Sequence, residues 1–439
     1  MSTVRRPDHH RSAPQGSHRA ASAGRPAAHT AGLRHVLTHL VTPLLMCIGM
    51  GLAYLGAFAH PAPHHLPVAV VGSSRSAQLL AQSINDRSGG DLAARTVPRR
   101  ATAVEQLKHQ DIFGAYVMNG AAQGQTGERP QGQAQERTQG QTGGRMQGQT
   151  RGQGVPELLV ATAGSDTSAS VVQKIFTPLA ARQGAPLKVT DVAPPAEDDP
   201  TGQGIFFLLV AISIGSYASV AVIGGAGAVL PLRLRAVLAI GTSVVVSLIG
   251  TAFAGPVFHL VDHGLWGLWG MAWLYSAGVL LIGTGLHTFL KRWTTLGVMA
   301  LFVMLNFTSS GGIFRPEMQN GFFAALHSFW NGAGFVEGLR SHVYFDGYGL
   351  SGHVGTLVGW LLVGVLMVGL AGLAERRRRA AEAEATANAA AVAAAAVAAT
   401  VPEPRPQRPV GAATPGTGSA EAATEEEMTE EEMEEAVGV

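Results

Sequence analysis

Hydrophobic positions in this chain fall into long unbroken blocks, separated by stretches with no apolar period. The first block, "HVLTHLVTPLLMCIGMGLAYLGAFA", runs from His35 to Ala59. Five more cover roughly Ile205–Leu230, Val237–Val261, Leu268–Phe289, Leu296–Phe307 and Val354–Leu373. A bilayer core takes about 20 apolar residues of helix. The pattern therefore predicts an all-α polytopic membrane protein with six transmembrane helices. The first block ends in "AFA", which resembles a signal-peptidase site. The block is longer than a signal h-region and follows a long arm, so it reads as an uncleaved anchor.

Between the first and second blocks the pattern changes. "LPVAVVG" (Leu66–Gly72), "DIFGAYVMNG" (Asp111–Gly120) and "ELLVATAG" (Glu157–Gly164) read as strands. "SSRSAQLLAQSIN" and Ser165–Arg182 read as amphipathic helices. Strands alternating with helices predict an α/β domain with parallel strands, spanning 60–203. Two pieces, "VGSSRSAQLLAQ" and "AGSDTSASVVQK", each run from strand through Gly-Ser to helix. Such a turn can hold an anion at a helix start. Neither has a nucleotide fingerprint, and helix capping by the serines is the preferred reading. Residues 121–154 form a Gly/Gln repeat that cannot bury a core, read as a disordered insert.

Composition agrees with the block pattern. The chain has 439 residues, 46% hydrophobic and only 14% charged, with a net charge of +1. That near-neutral balance gives no nucleic-acid footprint. Its one cysteine, Cys47, excludes a disulfide framework or cysteine metal site. Residues 1–33 read as a disordered arm, 34–59 as the first span and 204–374 as a five-helix domain. Residues 375–439 read as an Ala-rich helix followed by a disordered acidic tail. Basic residues set the orientation. They precede the first span, lie between the second and third (Arg233, Arg235) and between the fourth and fifth (Lys291, Arg292), and follow the sixth (Arg376–Arg379). All fall on one side if both termini are cytoplasmic and the α/β domain is extracytoplasmic. Trp266, Trp269 and Trp273 then mark the outer interface.

Candidate chemistry is sparse. The chain has no P-loop, H-E-x-x-H motif or nucleophile elbow, so no enzyme activity and no cofactor are expected. His259, Asp262, His263 and His287 sit near span ends, where interfacial solvation outweighs a proton relay. His60, His64 and His65 lie in a Pro-rich linker that does not suit a metal cage. Ser213, Ser216 and Ser219 share one face of the second span beside several glycines. Helix packing is the preferred reading, and a polar stripe lining a path is the alternative.

The least expected stretch is "SSGGIFRPEMQNGFF", Ser309–Phe323. Gly311 and Gly312 would break the fifth span, and Pro316, followed by Glu317, would open a new helix. "GFFAALHSFWNGAGFVEGLR" then reads as short amphipathic pieces. The whole, at about 308–342, is predicted to be re-entrant or to lie at the interface, capping the bundle. Here Asn306, Gly311, Gly312, Pro316, Phe322, Phe323, Leu339, Arg340 and Tyr344–Phe345 form a pattern. It resembles the stretch before the last span in type-2 ABC-transporter membrane subunits, especially the YhgE/Pip (phage infection protein) branch. The order of one span, a large extracytoplasmic α/β domain and five spans is similar too. Trp330-Asn331 stands where many members have Leu-Pro.

The resemblance implies a bacterial plasma-membrane permease. It would act as a homodimer or heterodimer in the lipid bilayer, powered by a separate ABC ATPase, and export an amphiphile or polymer. Coupling would then enter through the N-terminal arm or the turn Leu230–Ala236, with Pro231, Arg233 and Arg235. The alternatives are a surface receptor or scaffold and a secretion accessory protein.

Overall fold

The computed structural model describes residues 41, 44–59, 61–118 and 155–400. The N-terminal arm, His60, the Gly/Gln insert and the acidic tail lie outside the described residues. The chain divides into two units, Met1–Arg378 and Arg379–Val439.

The first unit opens with helix α1 (Leu44–Phe58). A small sheet follows, built from β1 (Leu66–Val71), β2 (Leu92–Val97), β3 (Ala115–Val117), β4 (Glu157–Val160) and β5 (Lys188–Asp191), in the order β2-β1-β3-β4-β5. Helices α2 (Arg75–Ser88) and α4 (Asp166–Arg182) cover one face. Their Ala77, Ala81, Val172 and Phe176 meet Leu66, Val68, Val70 and Leu158. Helix α3 (Arg100–Lys108) covers the other, with Ala103 and Leu107 against Ala69, Val71 and Leu159. Buried on both faces, β1 is apolar at nearly every position.

The all-parallel expectation fails at one pair. β3 and β4 run antiparallel, while the other pairs are parallel. Parallel neighbours need a crossover element, whereas antiparallel ones accept a plain loop. The Gly/Gln insert joining these two strands has no apolar period to make a crossover helix.

Four helices are long and apolar enough to cross a membrane: Gly204–Val229, Leu232–Val257, Leu265–Ser309 and Leu350–Ala399. They contain α5 (Gly204–Gly225), α6 (Leu232–Ala252), α7 (Leu265–Leu290), α8 (Thr294–Met299), α9 (Asn306–Ser309) and most of α12 (Leu350–Thr400). A π-helical turn, Ala300–Leu305, joins α8 to α9. The 45-residue run Leu265–Ser309 doubles back on itself. Lys291 takes a φ of 49°, and Gly297 lands beside Leu286 and Leu290. Between α9 and α12 stand α10 (Gly321–His327) and α11 (Asn331–Tyr344).

α7 is the centre of the bundle, buried from Tyr275 to Gly285. Of the two expectations for this segment, re-entrant or surface-lying, α11 does not fit the second. Twelve of its residues, including Phe335, Val336, Glu337, Leu339 and Arg340, are buried. It packs against α5, α7 and α9.

In the second unit the described residues, 379–400, are the end of α12. Their side chains through 399 are exposed. Alanine's high helix propensity favours a helix there.

Candidate functional site

The segment between α9 and α12 carries the densest buried chemistry. α9 ends at Ser309, and Gly311 then turns the chain with a φ of +75°. A Cβ on Gly311 would lie 2.6 Å from the His327 ring and 2.9 Å from the Glu337 carboxylate, so glycine is required on two counts. Pro316 opens a 3₁₀ turn, Pro316–Met318. Asn320 caps α10, its carboxamide oxygen accepting from the N–H groups of Phe322 and Phe323.

Glu337 lies between two arginines. Arg315 Nη1 donates to its Oε2 at 2.6 Å, and Arg340 Nη1 donates to its Oε1 at 3.0 Å. Arg340 also donates to the carbonyls of Gly311 (2.9 Å) and Gly312 (3.1 Å). The three side chains are between 2% and 8% exposed, which makes this a buried ion triad. Burial opposes the charge on Glu337, but Arg315 and Arg340 outweigh it and hold the carboxyl down to about 2. Glu317 stands at the edge, 3.9 Å from Arg315 Nε.

Arg315 ties the triad to the sheet, because its guanidinium lies 5.1 Å from the centroid of the Phe113 ring. Other links follow the same seam. Thr167 Oγ1 donates to the Ile313 carbonyl at 3.0 Å, and the His64 N–H donates to the Glu317 carbonyl at 2.7 Å. Lys108 pairs with Asp346 at 3.2 Å, and the His109 and Tyr348 rings stack at 3.7 Å. Asn320 Nδ2 donates to the Gly56 carbonyl of α1 at 3.0 Å. The break between α9 and α12 is thus the seat on which the sheet is mounted. Both Gly-Ser turns are capped helix starts, with Ser74 accepting from the Ala77 N–H and Ser165 from the Ser168 N–H.

The serine stripe is closed. Ser213 and Ser216 are fully buried, and all three hydroxyls, Ser219 included, donate to the carbonyl four residues back. Ser213 Oγ also lies 2.5 Å from Tyr275 Oη. Asn306 Nδ2 donates to Tyr275 Oη at 2.8 Å, and Asn306 Oδ1 accepts from the Gly332 N–H at 2.7 Å. One polar chain therefore crosses α5, α7, α9 and α11.

The predicted coupling turn separates into two kinds of residue. Pro231 precedes α6 with a φ of −63°. Arg235 is buried and donates to Glu375 of α12 at 2.7 Å, while Arg233 is exposed. Of the two arginines, Arg233 is the one on the surface. Near the sheet, His263 Nε2 lies 3.1 Å from the Val343 carbonyl, which gives it a packing role.

His327 makes the joint pH-sensitive. Its Nδ1 meets the Ser309 carbonyl at 2.9 Å. Burial, the leading cause, lowers its pKa below the ordinary value, and Arg315 adds to this. Glu337, the bond to Ser309 and Glu317 oppose it. A depressed histidine contributes stability that is complete above its unfolded value, about 6.5, and is lost as pH falls below it. The thermal midpoint in detergent is expected to fall between pH 7.5 and 5.5, with a shallower fall in His327→Gln. Equal slopes in the two proteins would remove this role.

Sequence reasoning passed over Glu337, Arg315, Tyr275 and Phe113. Glu337 and Arg340 do carry a signal, an acid and a base three apart in the otherwise apolar stretch Gly332–Arg340. The chain matches no family model, and neither a curated protein nor a solved structure matches it.

Proposed function

We propose that the chain is the membrane-spanning subunit of a dimeric exporter in a bacterial plasma membrane. A separate ATPase drives it, and it moves an amphiphile or polymer outward. It crosses the membrane six times. α1 completes the first crossing, α5, α6, α7 and α8–α9 make the next four, and α12 makes the last. Both termini are cytoplasmic and the sheet is extracytoplasmic.

The observation that carries this reading is the polarity of the bundle. Asp199 caps the start of α5 at the sheet end, accepting from the Gly204 N–H at 2.8 Å. At the far end, Arg235 pairs with Glu375, and the His287 ring packs on Gly224. Arg233, Lys291, Arg292 and Arg376–Arg378 all belong to that far end. Such one-sided basic charge marks the cytoplasmic face. In the exporter, α12, which runs from the sheet's seat to the basic end, is the link between the two. The closed serine stripe favours a second reading, a receptor or scaffold that moves nothing.

The test is affinity purification of the full chain from its native membrane. A P-loop ATPase is expected to co-purify, and Arg233→Gln is expected to reduce that recovery severalfold. Arg235→Gln should instead lower the thermal midpoint, because it removes one member of a largely buried ion pair. If no ATPase accompanies the wild-type chain, the exporter gives way to the scaffold.

A further inference from the structure

Helix α11 begins deep inside the bundle. Its Gly332 N–H is held by Asn306, which is held in turn by Tyr275. Tyr275 stands about 15 Å along α7 from Leu265, at ~1.5 Å per residue. Just before α11, the Phe329 carbonyl accepts from Trp360 Nε1 at 2.8 Å. Trp360 stands about 15 Å along α12 from Leu350. α11 is therefore a helix whose N-terminus is enclosed in the bundle and whose C-terminal end reaches the sheet's seat.

The N-terminal end of a helix carries partial positive charge and N–H donors, which favour an anion. A second, independent observation points the same way. Asn331, the first residue of α11, is 0% exposed, yet neither Oδ1 nor Nδ2 has a hydrogen-bond partner. A buried amide left unpaired is destabilising, so it calls for an occupant that pairs with it. Gly332 next to it leaves no room for a Cβ, which would collide with the Asn306 side chain. The π-helical turn Ala300–Leu305 ends at Asn306, and such turns gather at functional sites.

We infer that the start of α11, with Asn331, is a binding site for the anionic head group, carboxylate or phosphate, of an amphiphile. The inference rests on the exporter reading and supplies its substrate class. The Asn331 Nδ2 and the helix end donate to the head group, while the tail lies along lipid-facing surface. The site is sealed in this conformation. Phe329, at the turn before α11, is exposed, and that turn is the entry this inference assigns.

The experiment is calorimetric titration of the full chain in a non-ionic maltoside detergent. The probes are dodecyl phosphate, dodecanoate, dodecanol and inorganic phosphate. Saturable binding is expected for one or both of the first two and for neither of the others. Which anion binds separates a phosphate head from a carboxylate. Asn331→Leu, similar in volume, is expected to weaken binding about tenfold, the loss of one charge-assisted hydrogen bond. Its thermal midpoint is expected to hold or rise, because an unpaired amide leaves the core.

Dodecanol binding as tightly as the anions would reduce the site to apolar surface and overturn the inference. So would inorganic phosphate binding alone, unchanged affinity in Asn331→Leu, or no binding of either anion. An ATPase partner found alongside absent anion binding would leave the exporter standing and remove this site.

Discussion

Glu337→Gln is expected to destabilise the chain by about 3–5 kcal/mol, because it leaves two buried guanidinium groups without their carboxylate. Arg315→Met should cost less, since Glu337 keeps Arg340 at 3.0 Å and Arg340 keeps the two glycine carbonyls. Thermal unfolding in detergent gives the order. Limited proteolysis should show the sheet released from its seat before the bundle melts. The triad's own pH dependence lies well below neutrality. Glu337 falls from an ordinary 4.5 to about 2, so its contribution is present above about 4.5 and lost as pH drops towards 2. The loss expected between pH 7.5 and 5.5 therefore belongs to histidine. If Glu337→Gln melts within about 1 kcal/mol of the wild type, the arginines have found water or other partners, and the joint is not what holds the sheet.

The second large effect is expected at Gly285. A Cβ there would lie 2.7 Å and 2.8 Å from the carbonyl carbon and oxygen of Met367, and 2.9 Å from the Val368 nitrogen. These are backbone atoms of α12, so no rotamer change relieves the overlap and the two helices must separate. Gly285→Ala should cost about 1–3 kcal/mol, the range for overpacking a close-packed interior. Gly369 on α12 is the control, because a Cβ there meets nothing within 4 Å. Gly369→Ala should be neutral or slightly stabilising through helix propensity. Equal midpoints for the two variants would mean that α7 and α12 do not touch at Gly285.

Both predictions turn on contacts between residues far apart in the chain, and the same division runs through the whole molecule. The membrane-length helices were legible because an apolar run carries its own reason: each residue prefers hydrocarbon whatever its neighbours do. The central strand "LPVAVV" was legible for the same reason. The Gly311–Gly312 break, Pro316 and the serine caps were legible too, since backbone torsion and capping are settled within a few residues. β2 and β5 were not read, because they are edge strands without a continuous apolar run. α3 was not read, because "RATAVEQLK" shows little apolar face.

What tertiary structure alone decided is which polar groups meet. Glu337 and Arg340 could be seen as neighbours on one helix. That Arg315 would close on the other carboxylate oxygen, with Phe113 behind it, depends on how the sheet sits on the break. Arg233 and Arg235 looked equivalent in "LPLRLRA", yet helical rotation buries one against Glu375 and leaves the other exposed. Ser213 could be read as packing or as path-lining, and its hydroxyl meets Tyr275, 62 residues away. Asn331 looked like a substituted position in a loose pattern, and enclosure left its amide buried without a partner. Burial raises the cost of an unpaired polar group and strengthens a paired one, and burial is a property of the assembled surroundings rather than of any one segment.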